Sequence, residues 1–350
     1  MAAVNSRSPG SPNVIVPGIK CTVAKGCPHT ARYLGLGTPL DTSVDLTYSG
    51  GTVTGFEWID TVTIAGMNIT NQTIVSLTSA NMTNPSRYDG VCGMSFSAAA
   101  KDNSITFFEN YLEQNPTSVP EFSFFLGRAY NGTGQASQLT LGGRNTSQYS
   151  GHVTSVPVVA ETAWLVGLDG ITVNGKSAGA TVRGQAAIDT GTSFIVVPLT
   201  ALTEIFALIP NSIAIPLSGL GASQSQLYAY PCNTSVSYIP SITMMGQSFP
   251  IPLQDFNLGY LTTGFVSALA TKIGATEAEV KAKELCVAGL IGLEDSVNPN
   301  LYVLGDVFLK GWYSIFGYGA GWPANKTGAT VGFAQVVQDA VASQGGPISA

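Results

Sequence analysis

Polar and apolar residues alternate through residues 44–80, the period of half-buried strands. Within that stretch, Thr61-Val62-Thr63-Ile64-Ala65-Gly66-Met67-Asn68-Ile69 reads as two short strands around a turn at Gly66. Gln138–Leu141, Val153–Val159, Ile171–Val173 and Ala186–Val197 carry the same signal. Helical spacing is rarer. It occurs over Ile105–Leu112 and over Leu199–Leu208, which opens after Pro198. Thr276-Glu277-Ala278-Glu279 is a capping box that opens a short helix toward Lys283. The pattern predicts an all-β class with a few short peripheral helices.

Composition narrows the function. The chain has 350 residues, 45% of them hydrophobic and 10% charged, so it can bury a sizeable core. The net charge is −6 and no Lys/Arg run occurs, which argues against nucleic acid as a partner. No run of 18 apolar residues is present, so no membrane span is expected. The two histidines and five cysteines form neither His-Glu-x-x-His nor a Cys/His cluster, so neither a metal nor another cofactor is expected.

Seven glycosylation sequons begin at Asn68, Asn71, Asn81, Asn131, Asn145, Asn233 and Asn325, which favours a secreted glycoprotein. Cys21 and Cys27 could close a short loop, and Cys232 and Cys286 a long one. Cys92 is left over, in the apolar context Gly90-Val91-Cys92-Gly93-Met94, and is expected to be a buried free thiol. The first residues hold no apolar signal-peptide core, so a secreted parent would be longer at this end.

The strongest chemical signal is Ala187-Ile188-Asp189-Thr190-Gly191-Thr192-Ser193-Phe194-Ile195-Val196-Val197-Pro198. A bare Asp-Thr-Gly is ordinarily an aspartate capping a turn. Here an apolar run leads into the acid and another leads away from it. The chain leaves a buried strand, turns and re-enters the core. Gly191 permits the tight turn, and the hydroxyls of Thr190 and Thr192 can orient the carboxylate.

With those flanks, the stretch resembles the second active-site loop of the pepsin-like aspartic peptidases. Tyr48-Ser49-Gly50-Gly51-Thr52-Val53-Thr54-Gly55 is similar to the family's flap hairpin, with Tyr48 as its tyrosine. Tyr88-Asp89-Gly90-Val91-Cys92-Gly93 and Leu301-Tyr302-Val303-Leu304-Gly305-Asp306-Val307-Phe308-Leu309 resemble the two segments that thread behind the active-site loops. Leu141-Gly142-Gly143, Tyr149-Ser150-Gly151 and Val156-Pro157-Val158 resemble the crossing between lobes, and both cysteine pairs sit where the family places disulfides.

The resemblance implies a bilobal pepsin-like fold with a central cleft that holds a polypeptide substrate. An N-terminal lobe would span 1–155 with its flap at 48–55, and a C-terminal lobe 156–338, followed by a tail at 339–350. It also implies a monomeric endopeptidase. Asp189 would be catalytic, and Tyr48, Gly51, Gly191 and Thr192 would contact substrate. Two carboxylates, one per lobe, share a proton and activate the attacking water.

Internal repetition places the first carboxylate. Gly10-Ser11-Pro12-Asn13-Val14-Ile15-Val16-Pro17 aligns with Gly191–Pro198 at an offset of 181 residues, which pairs Asp189 with Ser8. Tyr48 then follows forty residues on, as the family pattern requires. Asp41-Thr42-Ser43 is a decoy: only seven residues separate Asp41 from Tyr48, too few for the intervening loop, so Asp41 is expected in a surface turn. Ile15 stands where the family commonly has a tryptophan, Ser49 replaces a flap glycine, and the strands that normally precede the first loop are missing.

Two functions are compatible with these residues. One is a truncated, weakly active or inactive form of a secreted aspartic endopeptidase. The other is a non-catalytic binder of peptides on the same fold. The intact Asp189-Thr190-Gly191-Thr192 favours the first. A serine hydrolase is disfavoured because no Gly-x-Ser-x-Gly elbow occurs.

Overall fold

The computed structural model describes residues 35–48, 51–82, 90–100, 103–128, 136–179, 182–217, 225–294, 300–323 and 327–337. Strands dominate and the helices are short, which agrees with the all-β expectation. Two compact units form. The first comprises Met1–Pro120, Ala160–Trp164 and Tyr318–Thr327, and the second Glu121–Val159, Leu165–Gly317 and Gly328–Ala350. In packing, the segment 121–155 therefore groups with the second unit.

The first unit is built on a three-stranded antiparallel meander, Thr38–Tyr48, Gly51–Ile64 and Met67–Met82. Tyr48 pairs with Gly51 where the first two strands meet. The second and third strands meet at Ala65-Gly66, both at positive φ (50° and 82°), the geometry that matches the twist of a tight hairpin. The turn lies where the sequence places it, but the strands are 14 and 16 residues long rather than short. Asp41 is exposed, as expected. It sits inside the first strand rather than in a turn: the register shifts between Pro39 and Ser43, and Asp41 takes φ 52°. A β-bulge supplies the kink that a turn was expected to provide.

The helix Phe107–Gln114 covers this meander. Its apolar side chains Phe107, Phe108 and Leu112 are buried, and so is Asn110. The Asn110 amide donates to Gln72 Oε1 at 3.1 Å and to the Thr70 carbonyl at 3.2 Å. Gln72 in turn donates to the Ile105 carbonyl at 2.9 Å. An aromatic cluster completes the unit from three distant segments. Phe96 lies 4.5 Å from Trp164, Trp164 5.0 Å from Tyr318, and Tyr318 4.8 Å from Trp322, centroid to centroid. Trp164 donates its indole N–H to the Met94 carbonyl at 3.0 Å, so the polar edge of a buried ring is satisfied.

The second unit contains a 13-stranded sheet and a separate four-stranded one. Ile215, Leu227, Leu269, Val280, Leu285 and Ile291 form an aliphatic core between the sheet and the helices Thr263–Ile273 and Glu277–Lys281. The predicted capping box is present. Thr276 accepts from the Glu279 N–H, and Glu279 accepts from the Thr276 N–H at 2.8 Å. Cys232 and Cys286 form a disulfide with a Cα separation of 5.0 Å. Cys21 and Cys27 lie outside the described residues.

Candidate active site

Asp189 sits in a local fold that its flanking residues dictate. The strand Gly184–Ile188 buries Ala186 and Ile188, and the strand Ile195–Pro198 buries Ile195 and Val197. Alternation of this kind turns one face of each strand into the core. A third strand, Leu301–Leu304, runs between them. It is parallel to the first, with Gln185 opposite Leu301 and Ile188 opposite Leu304, and antiparallel to the second, with Ile195 opposite Leu304. The loop carrying Asp189 is thus strung across the end of a strand that bonds both its arms.

Asp189 donates its N–H to the Leu304 carbonyl at 3.1 Å. Its Oδ1 accepts from the Gly191 N–H at 2.9 Å and its Oδ2 from the Thr192 hydroxyl at 2.7 Å. The Thr192 N–H closes the turn on the Asp189 carbonyl at 3.2 Å. Both carboxylate oxygens are therefore held, by bonds that strengthen when the group is ionised. Asp189 and Thr192 are half-buried, and Gly191 is exposed. Gly191 does not take a positive φ. Its contribution is the N–H it offers, not the left-handed turn that a glycine in this position suggests.

Beneath the loop lies Gly305. A Cβ there would run into the carbonyl oxygens of Thr192 and Phe194. Only a glycine lets the chain pass this close. Immediately after it, the one-turn helix Asp306–Leu309 points its first N–H groups at the loop. Asp306 N–H donates to the Thr192 carbonyl at 2.8 Å, and Val307 N–H to the Ser193 carbonyl at 3.2 Å. Burial pushes the Asp306 carboxyl up to about 6, with the negative charges of Asp189 and Asp255 adding to the rise and Lys310 opposing it. A second carboxyl that keeps its proton in acid thus lies under the first.

Asp189, Gly191 and Thr192 are brought together as the sequence suggests. Tyr48 and Gly51 face each other across the hairpin of the first unit. Ser8, Asn131 and Asn325 lie outside the described residues. Asn68, Asn71, Asn81 and Asn233 are exposed. Asn145 is half-buried and its amide is engaged: Oδ1 accepts from the Ser147 N–H at 3.1 Å, and Nδ2 donates to Gln138 at 2.7 Å. Cys92 is a free thiol, as expected. The residue as a whole is half-buried, but its surroundings desolvate the sulfur and push the thiol up to about 12.

Sequence reasoning missed Asp306, although the run Leu301–Leu309 that contains it stands out. It also missed the ion pair of Arg128 with Asp255, which no local pattern announces. Among the described residues, no group of His, Cys, Asp and Glu side chains is placed to hold a metal ion. No helix among them is long and apolar enough to cross a membrane.

The sequence is similar to those of known proteins. The sequence profile of the eukaryotic aspartyl protease family matches residues 8–336. The chain is 29% identical over 335 residues to an aspartic protease of Phaffia rhodozyma, covering 94% of this chain and 72% of that protein. It is 30% identical over 339 residues to pepsin-2B of Gadus morhua, covering 93% and 89%. It is 29% identical over 342 residues to cathepsin E of Aquarana catesbeiana, covering 94% and 74%.

Proposed function

The chain belongs to the eukaryotic aspartyl protease family, and from that membership we propose that it keeps one half of a peptide-hydrolysing carboxylate pair, Asp189, while Ser8 stands where the other half belongs. The substrate class is polypeptide. In the complete mechanism two carboxylates share one proton. The ionised one draws a proton from water as the water attacks the peptide carbonyl, and the protonated one donates to the developing oxyanion. Asp189 is suited to the ionised role, because Gly191 and Thr192 donate to both its oxygens. A serine hydroxyl at position 8 can orient water but cannot exchange the shared proton. The chain is accordingly a weak or inactive endopeptidase, working as a monomer.

Its compartment is an oxidising one, and the chain is a secreted glycoprotein. The Cys232–Cys286 bridge and the exposed Asn68, Asn71, Asn81 and Asn233 support this reading.

The observation that carries the proposal is the intact Asp189 loop with both oxygens bonded, opposite a serine in the internal repeat. The experiment is acid cleavage of a denatured protein substrate by the chain, by Ser8→Asp, and by Ser8→Asp combined with Asp189→Ala. Ser8→Asp is expected to raise cleavage by at least about 100-fold, the scale of a general acid–base contribution, and Asp189→Ala to abolish the gain. Robust cleavage by the unaltered chain that Asp189→Ala removes would show that the first carboxylate lies elsewhere, with Asp41 the next to test. A folded Ser8→Asp protein that binds peptides and cleaves none would favour a non-catalytic binder.

A further inference from the structure

The buried charges behind the loop have no part in the chemistry above. Arg128 follows the strand Glu121–Phe125, and Asp255 lies in the short helix Leu253–Phe256. Their side chains are 8% and 3% exposed. Arg128 Nε donates to Asp255 Oδ1 at 2.7 Å, and Nη2 donates to Oδ2. The same Nη2 donates to the Lys310 carbonyl at 3.0 Å. With its amide oxygen toward the guanidinium, Gln254 accepts from Nη1 at 2.9 Å. Such a fork matches a carboxylate geometrically, as an ammonium cannot.

Lys310 closes the helix Asp306–Leu309, and its carbonyl is among the acceptors a helix end leaves without an intrahelical donor. The other end of that single turn holds the Thr192 and Ser193 carbonyls through the N–H groups of Asp306 and Val307. One turn of helix therefore joins the guanidinium to the Asp189 loop. Around Asp306 stand Asp189 from the loop, Asp255 from the neighbouring helix and Lys310 from its own end, with Arg128 paired to Asp255.

We propose that Arg128 is a positioning residue for the Asp189 loop: it clamps the far end of the Asp306–Leu309 helix, so that the near end holds Thr192 and Ser193 in place, and it cancels the charge of Asp255 beside Asp306. The functional meaning rests on the reading of Asp189 as a catalytic carboxylate, while the linkage itself is physical and is tested without any cleavage assay. A pair that served only to fill the core would leave exchange at the Asp306 and Val307 amides unchanged.

The test uses the full chain with Arg128→Met, Arg128→Lys, and Arg128→Met combined with Asp255→Leu. The readouts are carbon-13 NMR titration of the Asp306 carboxyl and hydrogen exchange of the Asp306 and Val307 amides. Arg128→Met leaves Asp255 uncompensated, so the two acids titrate as a coupled pair whose upper midpoint lies about one pH unit above that of Asp306 in the parent. The two amides should exchange at least about tenfold faster than in the parent. Arg128→Lys restores the charge without the fork, so the midpoint returns and the faster exchange remains. The double variant removes both charges into apolar side chains, which buried pairs often tolerate. It should return the midpoint to within a few tenths of a unit, again with faster exchange at the two amides. If Arg128→Met does not fold, the double variant decides alone. Parent-like exchange at Asp306 and Val307 in a folded variant lacking Arg128 would overturn the proposal. A Ser8→Asp protein that fails to cleave would sink the peptidase reading and leave these results standing.

Discussion

In the first unit Gln72 and Asn110 are buried and joined by a hydrogen bond across the helix–sheet seam, whereas the seam between helices and sheet in the second unit buries Val266, Leu269, Val280 and Ile291. Directional bonds fix the register of the first seam, and each one lost leaves a partner unsatisfied in a dry place. Burial holds the second seam, and its cost on mutation follows the volume removed. The Asp189 loop is carried by the second unit. Its own bonds are directional, but they rest on strands fixed by aliphatic burial. A candidate catalytic group is thus set by a few hydrogen bonds on a foundation insensitive to their loss.

That contrast can be broken at graded cost. The largest effect is expected at Gly305. Gly305→Val would drive side-chain atoms into the Thr192 and Phe194 carbonyls, displacing the loop and costing at least about 3 kcal/mol, with severe cases failing to fold. Thermal unfolding and the amide spectrum of residues 189–194 check it. Leu269→Ala removes a fully buried side chain from the aliphatic layer and should cost about 3 kcal/mol while leaving the loop amides in place.

The third prediction concerns pH. In the folded chain the Asp306 carboxyl titrates at about 6, above its ordinary 3.8, so the folded state holds this proton more tightly than the unfolded state. Stability should therefore fall as pH rises from about 4 through about 6, by up to roughly 3 kcal/mol. Asp306→Asn should flatten that part of the stability–pH curve, as denaturant unfolding at several pH values would show. A slope that persists in the variant assigns it to another group.

The smallest effect is expected at Asn110. Asn110→Ala strands Gln72 Oε1, while the Thr70 carbonyl keeps its bond from the Gln114 amide at 2.9 Å, and should cost about 1–2 kcal/mol. Hydrogen exchange should place the loss in the first unit alone. Equal loosening of both units would contradict the distinction drawn between them.

Much of this was legible in the sequence where the signal is contiguous. Residues 187–198 encode two buried strands and the acid between them, and the loop folds accordingly. Thr276 and Glu279 announce a capping box because its partners are three residues apart. Strand length was harder to read. Asn71 takes a positive φ of 53°, and register shifts at Thr54/Gly55 and Asp60/Val62 interrupt strict alternation, so long strands read as short ones. Asp41 was misplaced for the same reason, since a bulge and a turn share the same polar, kinked signature. Arg128 and Asp255 are 127 residues apart, and only the fold brings them together. Asp306 carries no sequence mark of its unusual acidity, which arises from burial and from charges on other segments.

The most direct test of the account is the affinity of a statine-type peptide, which imitates the tetrahedral intermediate, for the chain and for Ser8→Asp in acid. Such analogues bind far more tightly than substrates only where the full carboxylate pair exists. Ser8→Asp should tighten binding by at least about 100-fold, and adding Asp189→Ala should reverse the gain. Equal, tight binding by the unaltered chain would contradict the assignment of Ser8 to the place of the missing carboxylate.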